Sequence, residues 1–200
     1  IAKAILKVDL AKYKKLKLTG DLIFTNNGIR GPVVLDFARE LTPILAKHDE
    51  VPLLISFLKG KNEEQIFTHI KKEIEKNPTA TVLENLTTLL ALSVATEICN
   101  ICNIDISEKF KNIDGIKREK LIKTLAWTPL TVTGHEGFKN AMITRGGVEL
   151  KEIDSKTMQS KLISGLYFCG EVVNIDGPCG GYNLQWSFSS GFLAGKTINL

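Results

Sequence analysis

The sequence predicts an α+β fold built in several parts, and three observations predict it. Short apolar or alternating runs over residues 3–8, 16–25 and 51–58 read as strands. From Asn62 to Ala126 the apolar period changes to 3.6, which marks a helical subdomain. The C-terminal stretch then closes on a strand, a glycine-rich loop and a helix.

The second strand ends in Asn26-Asn27-Gly28, where the Asn-Gly pair tolerates positive φ and marks a tight turn. A short helix follows. Pro32 suits its first turn, where the missing amide has no helical partner anyway, and Val34, Phe37, Ala38 and Leu41 recur at helical spacing. Pro43 is expected to stop this helix, and Val51 to Leu58 is a buried strand.

The helical stretch divides into three. Asn62 and Gln65 make a capping box ahead of Ile66, Ile70 and Ile74, and Asn77-Pro78 ends the first helix. The second carries Leu83, Leu86, Leu89, Leu90, Val94, Ile98 and Ile101. The third starts at Asp114, whose carboxylate caps free amides, and buries Ile122 and Leu125.

Beyond Trp127 the strands return, with Leu130 to Thr133 and Phe138 to Thr144 flanking Gly134-His135-Glu136-Gly137 as a hairpin. Leu166-Tyr167-Phe168-Cys169 is a short apolar run ending in Gly170-Glu171, the pattern of a buried parallel strand that stops at a ligand crevice. A loop leads through Gly180-Gly181 into a helix from Tyr182 to Asn199. Ser187, Gly191 and Gly195 leave a ridge of small side chains on it, which a sheet or a flat ligand can approach.

At 200 residues the chain is long enough to bury about 70% of its unfolded surface. Hydrophobic residues make up 44% and charged residues 24%, a globular balance that excludes disorder, collagen and fibrous rods. No apolar run approaches the ~20 residues of a membrane helix. The net charge of +4 comes from lysines scattered along the chain without a long basic block interleaved with aromatics, so no nucleic-acid partner is expected. A phosphate-bearing small molecule fits that charge equally well. Cys99, Cys102, Cys169 and Cys179 are too few for a disulfide framework and point to a reduced, cytoplasmic protein. The chain opens with Ile1 and shows no basic segment running into an apolar one, so no signal peptide is expected and the chain reads as trimmed or as a fragment.

Residues 166–185 carry the chemistry. First-turn amides and a helix dipole of about +0.5 charge can hold something electron-rich. On pattern alone a tight structural turn is the equal alternative. Glu171 can accept hydrogen bonds from ligand hydroxyls or simply be solvated. Residues 190–197 approach a phosphate-binding P-loop, with Ser190 in place of the first glycine, but they continue a helix instead of opening one. Cys99-Asn100-Ile101-Cys102 has redox spacing, yet it lies at the far end of an apolar helix, where nothing lowers a thiol pKa, so core packing is expected. No metal site is expected: the spacing of the second cysteine pair is wrong for zinc, and His48, His69 and His135 are far in sequence from either pair. No side chain stands out as a catalytic acid or base.

Six stretches carry a family resemblance: Gly20-Asp21-Leu22-Ile23-Phe24-Thr25, Gly28-Ile29-Arg30-Gly31-Pro32, Ile143-Thr144-Arg145-Gly146-Gly147-Val148, Thr157-Met158-Gln159-Ser160-Lys161, Gly165-Leu166-Tyr167-Phe168-Cys169-Gly170-Glu171 and Asp176-Gly177-Pro178-Cys179-Gly180-Gly181-Tyr182-Asn183-Leu184-Gln185. Together they resemble the C-terminal half of the BaiN/YhiN-type flavoproteins, the NAD(P)/FAD-dependent or aminoacetone-oxidase-like oxidoreductases. The likeness runs along essentially the whole chain and is most specific from Ala141 to Gly195.

The resemblance implies a β-barrel-like insert over residues 1–58 and 127–147, a helical insert over 59–126, and the C-terminal piece of an FAD-binding Rossmann-like α/β domain over 148–200. The Gly-x-Gly-x-x-Gly of the N-terminal part does not occur in this sequence. It implies that Gly170 and Glu171 face the ribityl region of FAD, that Gly180, Gly181, Tyr182, Asn183, Leu184 and Gln185 lie against the pyrimidine edge of the isoalloxazine, and that Thr144, Gly146 and Gly147 are nearby. The full-length protein would pass hydride through flavin N5, with NAD(P)H or a small organic substrate as partner, whereas this chain alone is expected to hold FAD weakly or not at all. Arg30, Gln159 and Asn174 depart from the family pattern, which leaves substrate preference open. Two other readings compete: a non-catalytic interaction module, and a phosphate- or nucleotide-binding protein using the loop.

Overall fold

The computed structural model describes residues 1–198. The chain forms two compact units, one comprising Ile1–Val33 and Ile44–Thr133, the other Val34–Pro43 and the chain from Gly134 onward.

The first unit holds six strands, β1 (Ala4–Val8), β2 (Lys17–Gly20), β3 (Ile23–Thr25), β4 (Gly28–Arg30), β5 (Val51–Ser56) and β6 (Thr128–Val132). Four of them form an antiparallel sheet in the order β2-β1-β5-β6. Alternation sorts its faces: Ala4, Leu6, Val8, Val51, Leu53 and Ile55 are buried, while Lys17, Thr19, Pro129 and Thr131 on the other face are exposed. The expected barrel is not closed. β2 and β6 are the edges and do not pair with each other, because four short strands are too few to curl into a cylinder.

The expected strand over 16–25 is two strands in two sheets. Leu22 is fully buried and its amide donates to the Ile1 carbonyl, which turns the chain between Gly20 and Ile23. β3 then pairs with β4 through Thr25 and Gly28, so the two-residue turn falls on Asn26-Asn27, one residue before the Asn27-Gly28 pair that the sequence marks, and the positive φ is at Gly28.

Helix α1 (Pro32–Leu45) runs past Pro43, where the sequence predicts a stop. A proline one turn before the end removes only the amide that would bond to the Arg39 carbonyl. That carbonyl has another donor, Arg145 Nη1 at 2.6 Å.

Four helices complete the first unit: α2 (Glu63–Lys76), α3 (Val82–Thr87), α4 (Leu92–Cys102) and α5 (Gly115–Ala126). The Asn62–Gln65 capping box forms in both directions, and Asp114 Oδ1 accepts from the Lys117 amide at 2.8 Å, as the sequence predicts. The expected second helix is broken into α3 and α4. Thr87 and Thr88 turn their hydroxyls back onto the carbonyls of Glu84 and Asn85, competing with the next helical turn, and Ala91 is extended. Ile66, Ile70, Val82, Leu86, Ala95, Ile98, Leu121 and Leu125 are buried.

The second unit is loop-rich. Its regular elements are the Val34–Pro43 stretch of α1 and helix α6 (Tyr182–Thr197); Asn199, the expected end of α6, lies outside the described residues. Ile153, Met158, Val173 and Ala194 form its core, with Val148, Tyr167, Phe168, Trp186 and Leu193 packed around them. Phe138 to Thr144 is not a strand, because the chain turns through a 3-10 segment at Gly137–Asn140, fixed by His135 accepting from the Gly137 amide and by Asn140 donating to Glu136. Leu166 to Cys169 forms no ladder either. Among the described residues it has a single bridge, Gln159 to Tyr167, and Leu166 and Cys169 are exposed, so no flanking strand supplies a row of hydrogen bonds. Among the described residues no helix is long and apolar enough to cross a membrane.

Candidate functional site

The loop from Gly170 to Gly181 delivers the chain to the N-terminus of α6, and four contacts within the second unit fix its path. At its start the Gly170 amide donates to Ser190 Oγ at 2.9 Å, and Trp186 Nε1 donates to the Gly170 carbonyl at 3.0 Å. Gly170 has φ +69° and is buried against α6, so its backbone is engaged in holding the loop to the helix. One step on, the Val148 amide donates to the Val172 carbonyl and the Asn174 amide donates to the Val148 carbonyl. Gly147 is required there: with φ +140°, a Cβ would lie 2.3 Å from the Val172 carbonyl oxygen.

The third contact is made by Asn183. Its side-chain amide brackets Gly177, accepting from the Gly177 amide at 2.8 Å and donating to the Gly177 carbonyl at 3.1 Å. The fourth comes from α1. Asp36 Oδ1 accepts from the Cys179 amide at 2.6 Å, and Arg39 Nε sits 2.7 Å from Asp176 Oδ2. Arg145 Nε stands 3.8 Å from the other carboxylate oxygen, so Asp176 is held between two guanidinium groups.

Gly180 and Gly181 follow with φ +132° and +90°. Gly181 is the N-cap of α6, and no side chain caps it. The amides of Tyr182, Asn183 and Leu184 therefore lack helical partners, and the positive pole of a 16-residue helix is presented past Gly181, where a Cβ would meet nothing within 4 Å, with the Tyr182 ring lying beside Gly180. Gly180, Gly181, Tyr182, Leu184 and Gln185 are exposed, with Gln185 Nε2 donating to Ser189 Oγ. Thr144, Gly146 and Glu171 are exposed as well. Of the expected ridge, Ser187 lies against Gly170, while space beside Gly191 and Gly195 is open. Residues 190–197 are helical, so their amides are bonded along α6 and cannot cradle a phosphate.

A profile described as HI0933-like protein Rossmann domain matches residues 8–197. The chain belongs to the HI0933-like family. The family is one of flavoprotein oxidoreductases with a Rossmann-like fold, in agreement with the resemblance of the motifs. The HI0933-like chain is 31% identical over 178 residues to a 3-dehydro-bile acid delta(4,6)-reductase of Clostridium scindens, covering 89% of this chain and 44% of that protein. It is 33% identical over 180 residues to a ribosomal RNA dihydrouridine synthase of Haemophilus influenzae, covering 89% and 42%, and 29% identical over 179 residues to the Escherichia coli protein of the same name, again 89% and 42%. The chain thus spans less than half the length of these relatives.

Sequence reasoning did not single out Asp36, Arg39, Arg145 and Asp176 as a group. Arg145 and Asp176 lie inside two of the resembling stretches, but their partner Arg39 is 106 and 137 residues away from them, and only the fold joins them.

Of the four cysteines, Cys99 and Cys102 pack in the core as the sequence predicts, whereas Cys169, expected in a buried strand, is exposed. Cys99 and Cys102 are buried in α4, and burial pushes the Cys99 thiol up to about 11. Cys169 and Cys179 are exposed. A thiol reagent at neutral pH is expected to modify two cysteines in the native chain and all four in denaturant; rapid native labelling of Cys99 would contradict the packing role. The raised pKa also sets a stability window. Native Cys99 binds its proton more tightly than the unfolded thiol near 9.0, so this contribution is complete below about pH 9 and is lost as pH rises toward 11.

Proposed function

We propose that this chain is the C-terminal part of an FAD-dependent oxidoreductase and that the N-terminus of α6 holds the flavin's pyrimidine edge. One observation carries the reading: the uncapped, glycine-lined positive pole behind Gly180-Gly181. The donor set suits the group, because first-turn amides stabilise the negative charge that a reduced flavin places along that edge. When bound, the flavin supplies hydride transfer through N5, with NAD(P)H or an organic molecule as the other partner.

The residues divide by task. Tyr182, Asn183 and Leu184 offer backbone amides; the side chain of Asn183 is engaged with Gly177 and positions the loop instead. Gly170 and Gly147 keep backbone segments in close approach, and exposed Glu171 is free of steric cover to accept from ribityl hydroxyls. Thr144, Gly146, Gly180 and Gln185 complete the exposed rim. By their names, one relative reduces a bile acid and two make dihydrouridine in ribosomal RNA. The reaction proposed for the whole protein is therefore reduction of a conjugated carbon–carbon double bond, in which hydride from the reduced flavin goes to one carbon and a proton from solvent to the other.

Gly181→Val in the full-length protein tests this. The valine would stand in the open space before the first-turn amides. FAD affinity is expected to fall at least tenfold while the melting temperature moves by only a few degrees, read from the flavin-to-protein ratio after gel filtration. A full flavin complement in the variant would defeat the assignment and favour the interaction-module reading.

A further inference from the structure

Asn27 is the one asparagine of the chain that glycine follows, and the fold leaves the pair bare. Asn26, Asn27 and Gly28 are all exposed at the tip of the β3–β4 hairpin. A Cβ on Gly28 would meet nothing within 4 Å, so the space around its backbone nitrogen is open. Among the described residues no donor or acceptor holds the Asn27 carboxamide. Other carboxamides are tied: Asn62 Oδ1 accepts from the Gln65 amide, Asn85 Nδ2 donates to the Thr81 carbonyl, Asn140 Nδ2 donates to Glu136, and Asn183 brackets Gly177.

The hairpin that carries the pair is weakly held. β3 and β4 are three residues each and form a two-stranded sheet of their own, an arrangement that is marginally stable in water. Ile23 and Phe24 are largely exposed, and the side-chain supports are the Thr25 hydroxyl on the Gly28 carbonyl at 3.1 Å and the Phe24 ring edge-on to Phe57 at 5.8 Å. The closing Thr25–Gly28 pair therefore opens at little cost. Opening frees the Gly28 nitrogen, and a glycine backbone turns readily through the torsions that ring closure needs.

We propose that Asn27 is a self-modification site, converted by attack of its neighbour's backbone. The Gly28 nitrogen bonds to Asn27 Cγ as the bond from Cγ to the side-chain nitrogen breaks; that nitrogen leaves as ammonia with the proton given up by Gly28. Water then opens the resulting succinimide at one carbonyl or the other, giving an aspartyl or an isoaspartyl residue. The isoaspartyl form runs the main chain through Cβ, which lengthens the turn by one atom and leaves a carboxylate beside it. Thr25 and Gly28 then no longer meet in register, the hairpin opens, and Phe24 leaves Phe57. The two aspartate–glycine pairs are held away from the same chemistry. Asp114 caps the Lys117 amide with Gly115 already in α5, and Asp176 lies between two guanidinium groups with the Gly177 amide bonded to Asn183.

The experiment ages the full-length protein for days in mildly alkaline buffer and maps its peptides by mass spectrometry, with isoaspartyl read by enzymatic methylation of its carboxylate. The amide-to-acid mass gain is expected at position 27, with isoaspartyl in excess over aspartyl and a rate that rises with pH. Chymotrypsin is expected to cut after Phe24 at least threefold faster in the aged fraction than in the fresh protein. Asn27→Gln leaves the backbone as it is but demands a larger ring, and Gly28→Ala crowds the nitrogen; each is expected to slow conversion at least tenfold. Asn26, in the same turn and equally exposed, is the internal control. Equal conversion at positions 26 and 27, aspartyl as the sole product, an unchanged rate in either variant, or an amide at position 27 that survives in the native protein while the denatured chain converts overturns the proposal.

Discussion

Replacing Gly147 by alanine is expected to destabilise the second unit by about 3 kcal/mol, combining the strain of a left-handed backbone with overpacking. The added Cβ would meet the Val172 oxygen at 2.3 Å, its carbonyl carbon at 2.9 Å and the Asn174 amide nitrogen at 3.1 Å. All three are backbone atoms, and they cannot retreat cheaply. The Val148 amide donates to that same Val172 oxygen at 2.8 Å, and Asn174 donates back to Val148 at 2.9 Å. Between them lies Val173, fully buried in the core with Ile153, Met158 and Ala194. Any shift that relieves the clash must break this bridge or open that core. Gly146→Ala is the internal control, since its φ is +105° but nothing stands within 4 Å of the new Cβ, leaving backbone strain of about 1 kcal/mol. Urea titrations read at Trp186, in a Trp127→Phe background, report the second unit. Equal midpoints for the two alanine variants would contradict the steric account.

How much of this was legible in the sequence depends on the range of the forces involved. The caps at Asn62 and Asp114, the burial of Ile66, Ile70, Ile122 and Leu125, and the start of α6 at Tyr182 all follow from signals within a few residues, and all are present. The misplaced elements are those where a distant group settles a local contest. Pro43 reads as a stop because its missing amide leaves a carbonyl bare, and it fails to stop α1 where Arg145 supplies a donor from 106 residues away. Leu166 to Cys169 has the composition of a buried strand, but a strand needs a neighbour and the described residues give it one bridge. The glycines of the candidate site show the same division. Gly180-Gly181 is legible as a helix entrance, whereas the tasks of Gly147 and Gly170 depend on Val172, Trp186 and Ser190, which only the tertiary structure brings near.

Asp176→Ala is expected to destabilise the second unit by about 2 kcal/mol and to loosen flavin retention. The energy lies between the 0–1 kcal/mol of a surface pair and the 3–5 kcal/mol of breaking a buried one. The Asp176 side chain is only 12% exposed, while its partners Arg39 and Arg145 keep 30% and 52%. Removing the carboxylate leaves two guanidinium groups facing each other, with Arg145 still tied to the Arg39 carbonyl by the bond that Pro43 makes possible. Asp176 is the carboxylate that faces both, so the repulsion bears on the segment that leads into Gly180-Gly181. The Asp36 and Asn183 contacts still hold Cys179 and Gly177, so α6 itself stays folded and the expected change is in the loop. A double-mutant cycle separates the two partners: coupling of about 1 kcal/mol to Arg39, at 2.7 Å, and less to Arg145, which is farther away and more solvated. A weak partner that is half in water cannot set the geometry, so if the larger coupling falls on Arg145 instead, the loop is not held from α1 and the four-point description of its path must give way.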